Sequence, residues 1–163
     1  MDGFDDIARI DNRALLIVTA AGPPPAGCLV GFSSQVSIDP PRMLVCLSVK
    51  NATARAAHDA RVLAVHAVPA SRLDLARLFG EETADDGVDK FAHCAWSPGP
   101  ENVPLLDDCP TRFVGLIHAR FGLGDHDGLL LTPLSGQAGP DEDVVRLRDA
   151  RDFHPGHPLD SRP

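Results

Sequence analysis

The sequence predicts a mainly β fold, a closed or partly closed β-barrel decorated by two or three helices. Short apolar runs rich in β-forming residues recur along the chain, and Pro- and Gly-containing turns separate them. Helical patterns are too few to supply the helix that a doubly wound sheet needs between successive strands. The chain has 163 residues, of which 44% are hydrophobic and 23% charged, so we expect one domain with its own core.

Elements in the first half follow from apolar periodicity. In chain order they are a helix over residues 3–10, strands over 15–21, 28–32, 35–38 and 43–49, a helix over 51–60, a strand over 62–68 and a helix over 71–79. Asn51 or Thr53 is the expected N-cap of the helix over 51–60. Ser71 and Asp74 resemble a capping box for the last helix, and Gly80 is its expected C-cap.

In the second half, two more strands are expected over residues 112–121 and 129–134. The glycines and aspartates between them predict a hairpin turn. After residue 136 the tail shows one weak strand over 144–147, and its end, HPGHPLDSRP, should be exposed and partly mobile. We therefore expect a single domain over 1–163 with a core at about 13–135.

Composition excludes several classes of function. A net charge of −8 argues against a nucleic-acid surface. No apolar run is long enough to span a membrane, and the acidic N-terminus is not a signal peptide, so a cytoplasmic protein is expected. The four cysteines include no CxxC pair, which predicts reduced thiols and no metal site, with Cys28 and Cys46 as small core residues.

The first candidate site follows the apolar strand over 43–49. Lys50, Asn51 and Thr53 stand at the start of a helix, and Arg55 lies one turn further on. The first turn of a helix offers N–H groups and a positive dipole end, which suits a terminal phosphate. On these residues alone, ordinary helix capping with solvated basic side chains is the simpler interpretation.

Two further segments could contact a ligand. Gly27 and Gly31 would let the backbone over residues 27–34 approach a planar ring, although the same glycines also suit a bulge or barrel curvature. His126, in the turn after Asp125, could donate a hydrogen bond to a ligand. As an ordinary turn residue, it would instead bond the backbone.

Taken in order, these segments resemble the flavin reductase-like family, whose fold is an FMN-binding split β-barrel. The segments that carry the resemblance are Leu16–Thr19, Gly27, Ser33-Ser34, Val36-Ser37-Ile38-Asp39-Pro40-Pro41, Met43–Leu47, Asn51 with Thr53, Asp89-Lys90-Phe91 and Gly124-Asp125-His126. They span roughly residues 13–135, which is most of the chain.

The resemblance implies a flavin site and a redox function. The expected cofactor is FMN, with FAD possible, and NADH or NADPH is the expected hydride donor. Residues expected to bind the flavin are Cys28, Leu29, Val30, Gly31 and Phe32 at the ring, Ser48 and Phe91 nearby, and Lys50, Asn51 and Thr53 at the phosphate, with His126 as the candidate catalytic residue. A homodimer is also implied, with a monooxygenase as a possible partner that receives the reduced flavin.

Some positions depart from the family pattern on the ring-binding side. The family has a hydroxyl residue where Leu29 stands, a small polar residue where Phe32 stands and Ser where Gln35 stands. Because Leu29 and Phe32 could fill the ring site, the alternative is a non-enzymatic flavin-, deazaflavin- or haem-binding protein on the same barrel.

Overall fold

The computed structural model describes residues 2–156, and residues 157–163 of the expected exposed tail lie outside this range. The main strands are β1 (Leu16–Ala20), β2 (Ala26–Val30), β3 (Ser33–Ser37), β4 (Arg42–Ser48), β5 (Val62–Ala67), β8 (Arg112–Gly122) and β9 (His126–Gln137), and a small hairpin adds β6 (Trp96–Pro98) and β7 (Pro104–Leu106). The helices are α1 (Asp2–Ile10), α2 (Ala52–Asp59) and α3 (Leu73–Glu81). The prediction of a mainly β fold with helical decoration is confirmed.

The seven main strands form one antiparallel sheet in the order β2-β1-β5-β8-β9-β4-β3. Its two edge strands, β2 and β3, are consecutive in the chain and only Gly31 and Phe32 separate them. A flat sheet of seven strands would hold its edges about 29 Å apart, because neighbouring strands lie ~4.8 Å apart. A link of that length reaches at most about 11 Å. The sheet must therefore curl. A hydrogen bond from Cys46 N to Phe32 O (2.9 Å) attaches the link between β2 and β3 to strand β4.

Strand β1 is buried on both faces, which explains its uninterrupted apolar sequence. Leu16 and Val18 face the interior of the curled sheet, where they pack with Val45, Leu63 and Leu131. Ile17 faces the other way and packs in a second cluster with Leu75 and Phe79 of α3. These two clusters hold β1, and with it the neighbouring β2, between the sheet interior and α3.

Asn51 caps α2, as expected: its side-chain oxygen accepts a hydrogen bond from Thr53 N at 3.2 Å. The capping box expected for α3 is wrong, because a 3₁₀ turn over Ala70–Arg72 precedes that helix and Asp74 pairs with Arg72 instead. Gly80 is not a C-cap either, since α3 continues to Glu81. A Cβ at Gly80 would come within 3.0 Å of a Leu29 side-chain carbon, so the glycine lets α3 pack closely on β2.

Two other local expectations differ from the structure. The strands predicted over residues 28–32 and 35–38 imply a break at Ser33-Ser34, but the structure places the break at Gly31 and Phe32, and both serines belong to β3. The weak strand expected over residues 144–147 forms only isolated bridges, from Val144 to Pro69 and from Arg146 to Ala14.

His66 on β5 is fully buried and joins three strands. Its Nδ1 donates to Ile17 O at 3.0 Å, and its Nε2 accepts from Leu106 N at 3.1 Å. This pair of bonds fixes the neutral tautomer, because Nε2 cannot accept a hydrogen bond once it is protonated. Burial lowers the pKa of His66 to about 4. The folded state therefore favours the uncharged ring.

We predict that His66 makes the protein acid-sensitive. Because its folded pKa is below the unfolded value, its contribution is complete above pH 6.5 and is lost as pH falls from 6.5 toward 4. The free energy of unfolding should drop by about 2 kcal/mol from this group between pH 7.5 and 5. Urea titrations at both pH values should show a shallower pH dependence for His66→Gln. The exposed control His118→Gln should keep the wild-type dependence, and parallel curves for all three proteins would contradict the assignment.

Candidate functional site

Strand β2 forms the shared wall of two adjoining cavities. Cavity A has a volume of about 250 Å³ and is lined by Arg13, Cys28, Leu29, Val30, Gly31, Phe32, Cys46, Leu47, Ser48, Asn51, His126 and Leu147. Cavity B, also about 250 Å³, is lined by Pro24, Pro25, Ala26, Gly27, Asn51, Ala52, Thr53, Ala84, Gly87, Val88, Asp89, Lys90 and Phe91. Asn51 lines both. Together they reach the range of about 300–1,000 Å³ typical of ligand sites.

Three side chains that contact one another in sequence, Arg13, Phe32 and His126, lie at cavity A. The ring of Phe32 lies edge-on to the ring of His126, with centroids 5.1 Å apart, and the guanidinium of Arg13 lies 5.5 Å from the Phe32 centroid. Arg13 also donates to Gly31 O at 3.3 Å. Phe32 is 53% exposed, so it borders the cavity without filling it. Aromatic and cationic groups at a cavity mouth suit a flat, electron-rich ligand.

His126 is held by its neighbour in the hairpin turn. Its Nδ1 lies 2.7 Å from a carboxylate oxygen of Asp125, and this hydrogen bond lowers the pKa of Asp125. The bond orients the imidazole and occupies Nδ1. Only Nε2 of His126 can then exchange a hydrogen bond with a ligand in cavity A.

Cavity B contains the start of α2. The Asn51 side-chain oxygen is used by the helix cap, which leaves its Nδ2 amide as the group available to a ligand. The hydroxyl of Thr53 is buried, neighbours the Cys28 thiol and makes no hydrogen bond of normal geometry with the described residues. A buried hydroxyl without a partner costs free energy, and Thr53 lines cavity B, so a ligand oxygen that reached this hydroxyl would supply the missing bond.

Lys90 brings a buried cationic group to the same cavity. Its Nζ donates to Gly27 O of β2 at 3.0 Å and to Phe79 O of α3 at 3.2 Å, and the residue is only 7% exposed. Burial lowers the pKa of Lys90. An ammonium has three donors, so one N–H remains for a ligand after these two bonds. An anion in cavity B would favour the charged form of Lys90.

The structure brings together most of the expected site residues, in two groups. Cys28, Leu29, Val30, Gly31, Phe32, Ser48, Asn51 and His126 line cavity A, whereas Asn51, Thr53 and Phe91 line cavity B. Lys50 lines neither cavity and lies near Asp125, whose pKa it helps to lower. Gly27 serves packing, because a side chain there would approach Phe79 within 2.6 Å. The roles of these residues toward a ligand stay predictions.

Sequence reasoning missed Arg13 and Lys90. Lys90 lies inside the Asp89-Lys90-Phe91 segment that carries the family resemblance, so a signal for it was present. Arg13 had no such signal, because it reaches cavity A only through the fold, from the segment between α1 and β1.

Two cysteines, Cys28 and Cys46, line cavity A. Burial raises the pKa of the Cys28 thiol, and that of Cys46 for the same reason, which disfavours their reactive thiolate forms. Within residues 2–156, no group of three or more His, Cys, Asp or Glu side chains is arranged to hold a metal ion. No helix in the same range is long and apolar enough to cross a membrane.

Comparison with known proteins decides the family. A model of the flavin reductase like domain matches residues 9–150, most of the chain. The chain belongs to the flavin reductase-like family. An FMN reductase (NADH), RutF 2, from Rhizobium rhizogenes is 34% identical over 149 residues, 89% of this chain and 76% of the relative. RutF from Stutzerimonas stutzeri, also named FMN reductase (NADH), is 34% identical over 155 residues, 94% of this chain and 86% of its own length.

Solved structures agree on the fold. A flavin reductase domain protein from an Arthrobacter species superposes with a TM-score of 0.81 at 21% identity, with full coverage of both chains. An NADH:FAD oxidoreductase from Streptomyces globisporus gives a TM-score of 0.75 at 24% identity, covering 82% of this chain and 80% of its own. The expected family, its oxidoreductase class and its flavin and NADH ligands are confirmed at the level of the family.

We predict that Thr53→Val separates ligand binding from stability. Because the hydroxyl makes no well-formed hydrogen bond with the residues that the structure describes, its replacement by an isosteric methyl should leave the free energy of unfolding unchanged or raise it by up to about 1 kcal/mol. FMN affinity should fall severalfold. Urea unfolding without ligand and a fluorescence titration with FMN test both effects. Thr132→Val on β9 is the matched control, and loss of stability with intact FMN affinity would refute the assignment.

Proposed function

We propose that this protein is a cytoplasmic flavin reductase that uses NADH, or NADPH, to reduce FMN, with FAD as a possible second flavin. The ring would lie in cavity A against Cys28–Phe32, and the phosphate would lie in cavity B at the start of α2. The observation that carries this proposal is the buried pair of groups in cavity B. Among the described residues, the Thr53 hydroxyl makes no hydrogen bond of normal geometry, and Lys90 Nζ has one N–H beyond its two bonds to carbonyls; a phosphate would accept from both.

Size and charge support this orientation of the ligand. Cavity A is bordered by aromatic and apolar side chains, which suits a flat ring. Cavity B combines the N-terminus of α2 with Lys90, which suits a group that carries close to two negative charges. Because Asn51 lines both cavities, its Nδ2 amide would bond the ribityl chain or phosphate between them.

Bound flavin would supply the redox chemistry by accepting a hydride from the nicotinamide. The residues of this chain would position the two rings. Phe32 and His126 at the mouth of cavity A would hold the nicotinamide over the ring, which is the orientation that such a transfer requires. His126 Nε2 would donate to the nicotinamide or the flavin edge. Arg13 would place positive charge beside the reduced ring.

Leu29 and Phe32, two of the departures from the family pattern, line cavity A without blocking it. Leu29 packs toward Gly80 of α3, and Phe32 remains half-exposed at the mouth. The space of about 250 Å³ persists with both side chains in place. This observation argues against a ring site filled by Leu29 and Phe32, and the NADH turnover experiment separates the enzyme from the binding protein.

Turnover of NADH by the purified protein tests the proposal. With catalytic protein and excess FMN, the absorbance of NADH at its characteristic band should fall steadily for many turnovers. His126→Ala should lower kcat/KM for NADH by about tenfold or less, because hydride transfer needs positioning more than proton transfer. Bound flavin with no NADH oxidation would support the binding protein instead. Absence of flavin affinity would reject both.

We predict that Lys90 contributes more to phosphate binding than Lys50. Lys90→Met should weaken FMN binding by about tenfold, equivalent to ~1.4 kcal/mol, while riboflavin, which lacks the phosphate, should bind within about twofold of wild type. Lys50→Met is the matched control and should have the smaller effect, because Lys50 lines neither cavity. A large loss of FMN affinity in Lys50→Met alone would reverse this assignment. Equal losses for FMN and riboflavin would show that Lys90 acts only through the fold.

The proposal includes a homodimer and a monooxygenase partner. Large apolar side chains are exposed on α1, on and beside β3 and on the β8–β9 hairpin, namely Phe4, Ile7, Ile10, Val36, Ile38, Phe121, Leu123 and Leu134. Many exposed large apolar side chains are a feature that protein interfaces would cover. Light scattering should give twice the mass of one chain, and a monomer mass at micromolar concentration would exclude the dimer.

Reduction of added cytochrome c would show that reduced flavin leaves the protein, as a partner oxygenase requires.

A further inference from the structure

The solvent-facing wall of cavity B is a short acidic segment, residues 82–88, which follows the end of α3. It contains one 3₁₀ turn, Ala84–Asp86. Ala84, Gly87 and Val88 line cavity B together with residues 24–27 and the start of α2. Residues 84–87 are exposed, so the 82–88 segment separates the cavity from water.

Both ends of the 82–88 segment are anchored. Before it, the carboxylate of Glu81 at the end of α3 accepts a hydrogen bond from His154 N at 2.8 Å. After it, the carboxylate of Asp89 caps the next 3₁₀ turn by accepting from Phe91 N at 3.0 Å. The segment can therefore move between these anchors without displacing α3 or the turn that follows.

The 82–88 segment is bonded mainly to itself. Among the described residues, the backbone hydrogen bonds of residues 83–88 stay inside it. They run from Asp86 N and Val88 N to Thr83 O, at 3.2 and 3.4 Å, and from Gly87 N to Ala84 O at 3.0 Å. Segments with exposed side chains and few bonds to the core are the parts of a protein that open at the lowest free energy.

An ion pair fastens the 82–88 segment to α2. Asp85 in the segment accepts a hydrogen bond from Arg55 on the helix, and Arg55 also donates to Lys50 O at 3.2 Å. Both side chains of the pair are 54% exposed, so water and salt compete with the pair and its contribution to stability is small. The segment is therefore held in place by a contact that breaks and re-forms easily.

We propose that the 82–88 segment is a lid on cavity B, held shut by the pair of Asp85 with Arg55, and that its opening sets the rate at which a flavin phosphate enters and leaves. The inference rests on the proposed function, because the phosphate must lie in cavity B. Glu82, Asp85 and Asp86 make the lid acidic, so it repels a phosphate that passes while it is shut. A lid with so weak a fastening suits a flavin that exchanges with solution between turnovers.

Stopped-flow measurement of FMN binding to the whole protein, and of FMN release on dilution, tests this inference. Asp85→Asn should raise both the association and the dissociation rate constants by about twofold to fivefold, the range that loss of an exposed ion pair supports. The Kd should stay within about twofold, because a gate changes both rates together. Asp86→Asn removes the same charge from the next position, leaves the pair intact and should change either rate constant by less than about 1.5-fold.

Two further measurements separate a lid from other roles of Asp85. Riboflavin, which lacks the phosphate, should bind and leave Asp85→Asn at the wild-type rates. Without any flavin, a protease that cleaves after glutamate should cut at Glu82 about twofold to fivefold faster in Asp85→Asn than in the wild type, because cleavage follows the population of the open segment. The double variant Arg55→Asp/Asp85→Arg restores an ion pair of reversed sign and should return the cleavage rate toward the wild-type value.

The outcomes distinguish the lid from the proposed function. Normal FMN binding with unchanged rate constants in Asp85→Asn would overturn the lid and leave the proposed function intact. A faster dissociation alone, or an equal change for riboflavin, would also overturn it, because neither result fits a gate on the phosphate. Protein that binds no flavin would overturn the proposed function and this inference with it.

Discussion

The buried side chain of Lys90 holds the candidate site together. Its Nζ donates to Gly27 O and Phe79 O, so a single group ties β2, the wall of cavities A and B, to the end of α3. Burying an amine in this way is costly unless acceptors surround it, and the two carbonyls meet most of that need. The arrangement also places the one donor that remains beside the start of α2. The position of β2 and the electrostatics of cavity B therefore have a common cause.

The sequence predicted the strands well because their physical causes are local. The buried run Leu16–Ala20 and the cap at Asn51 follow from burial on two faces and from hydrogen-bonding chemistry that can be recognised within a few residues. The ends of α3 could not be predicted in this way. Gly80 resembles a C-cap, yet its role is set by Leu29, about fifty residues earlier, which packs against it. Gly27 resembles a ligand-binding glycine, yet Phe79 of α3 requires it.

The same distinction applies to the candidate site. Motif order was enough to identify the family and to collect residues from β2, β4, α2 and the β8–β9 turn. The sequence could not show which lysine lies in cavity B. Lys50 directly follows β4 and precedes α2, which made it the expected cation, but its side chain lies near Asp125. Lys90 reaches the cavity only because the 3₁₀ turn at Lys90–His93 packs under α3. Arg13 likewise reaches Phe32 through tertiary contacts between segments that are distant in sequence.

The central claim is that the phosphate of the flavin lies at the start of α2 and its ring lies along β2. A crystal structure of the protein soaked with FMN tests this most directly. We expect the phosphate oxygens to lie within hydrogen-bonding distance of Thr53 Oγ1 and Lys90 Nζ, with the tricyclic ring between the backbone of residues 28–32 and His126. A phosphate bound on the Lys50 and Asp125 side, or a ring outside cavity A, would contradict the account.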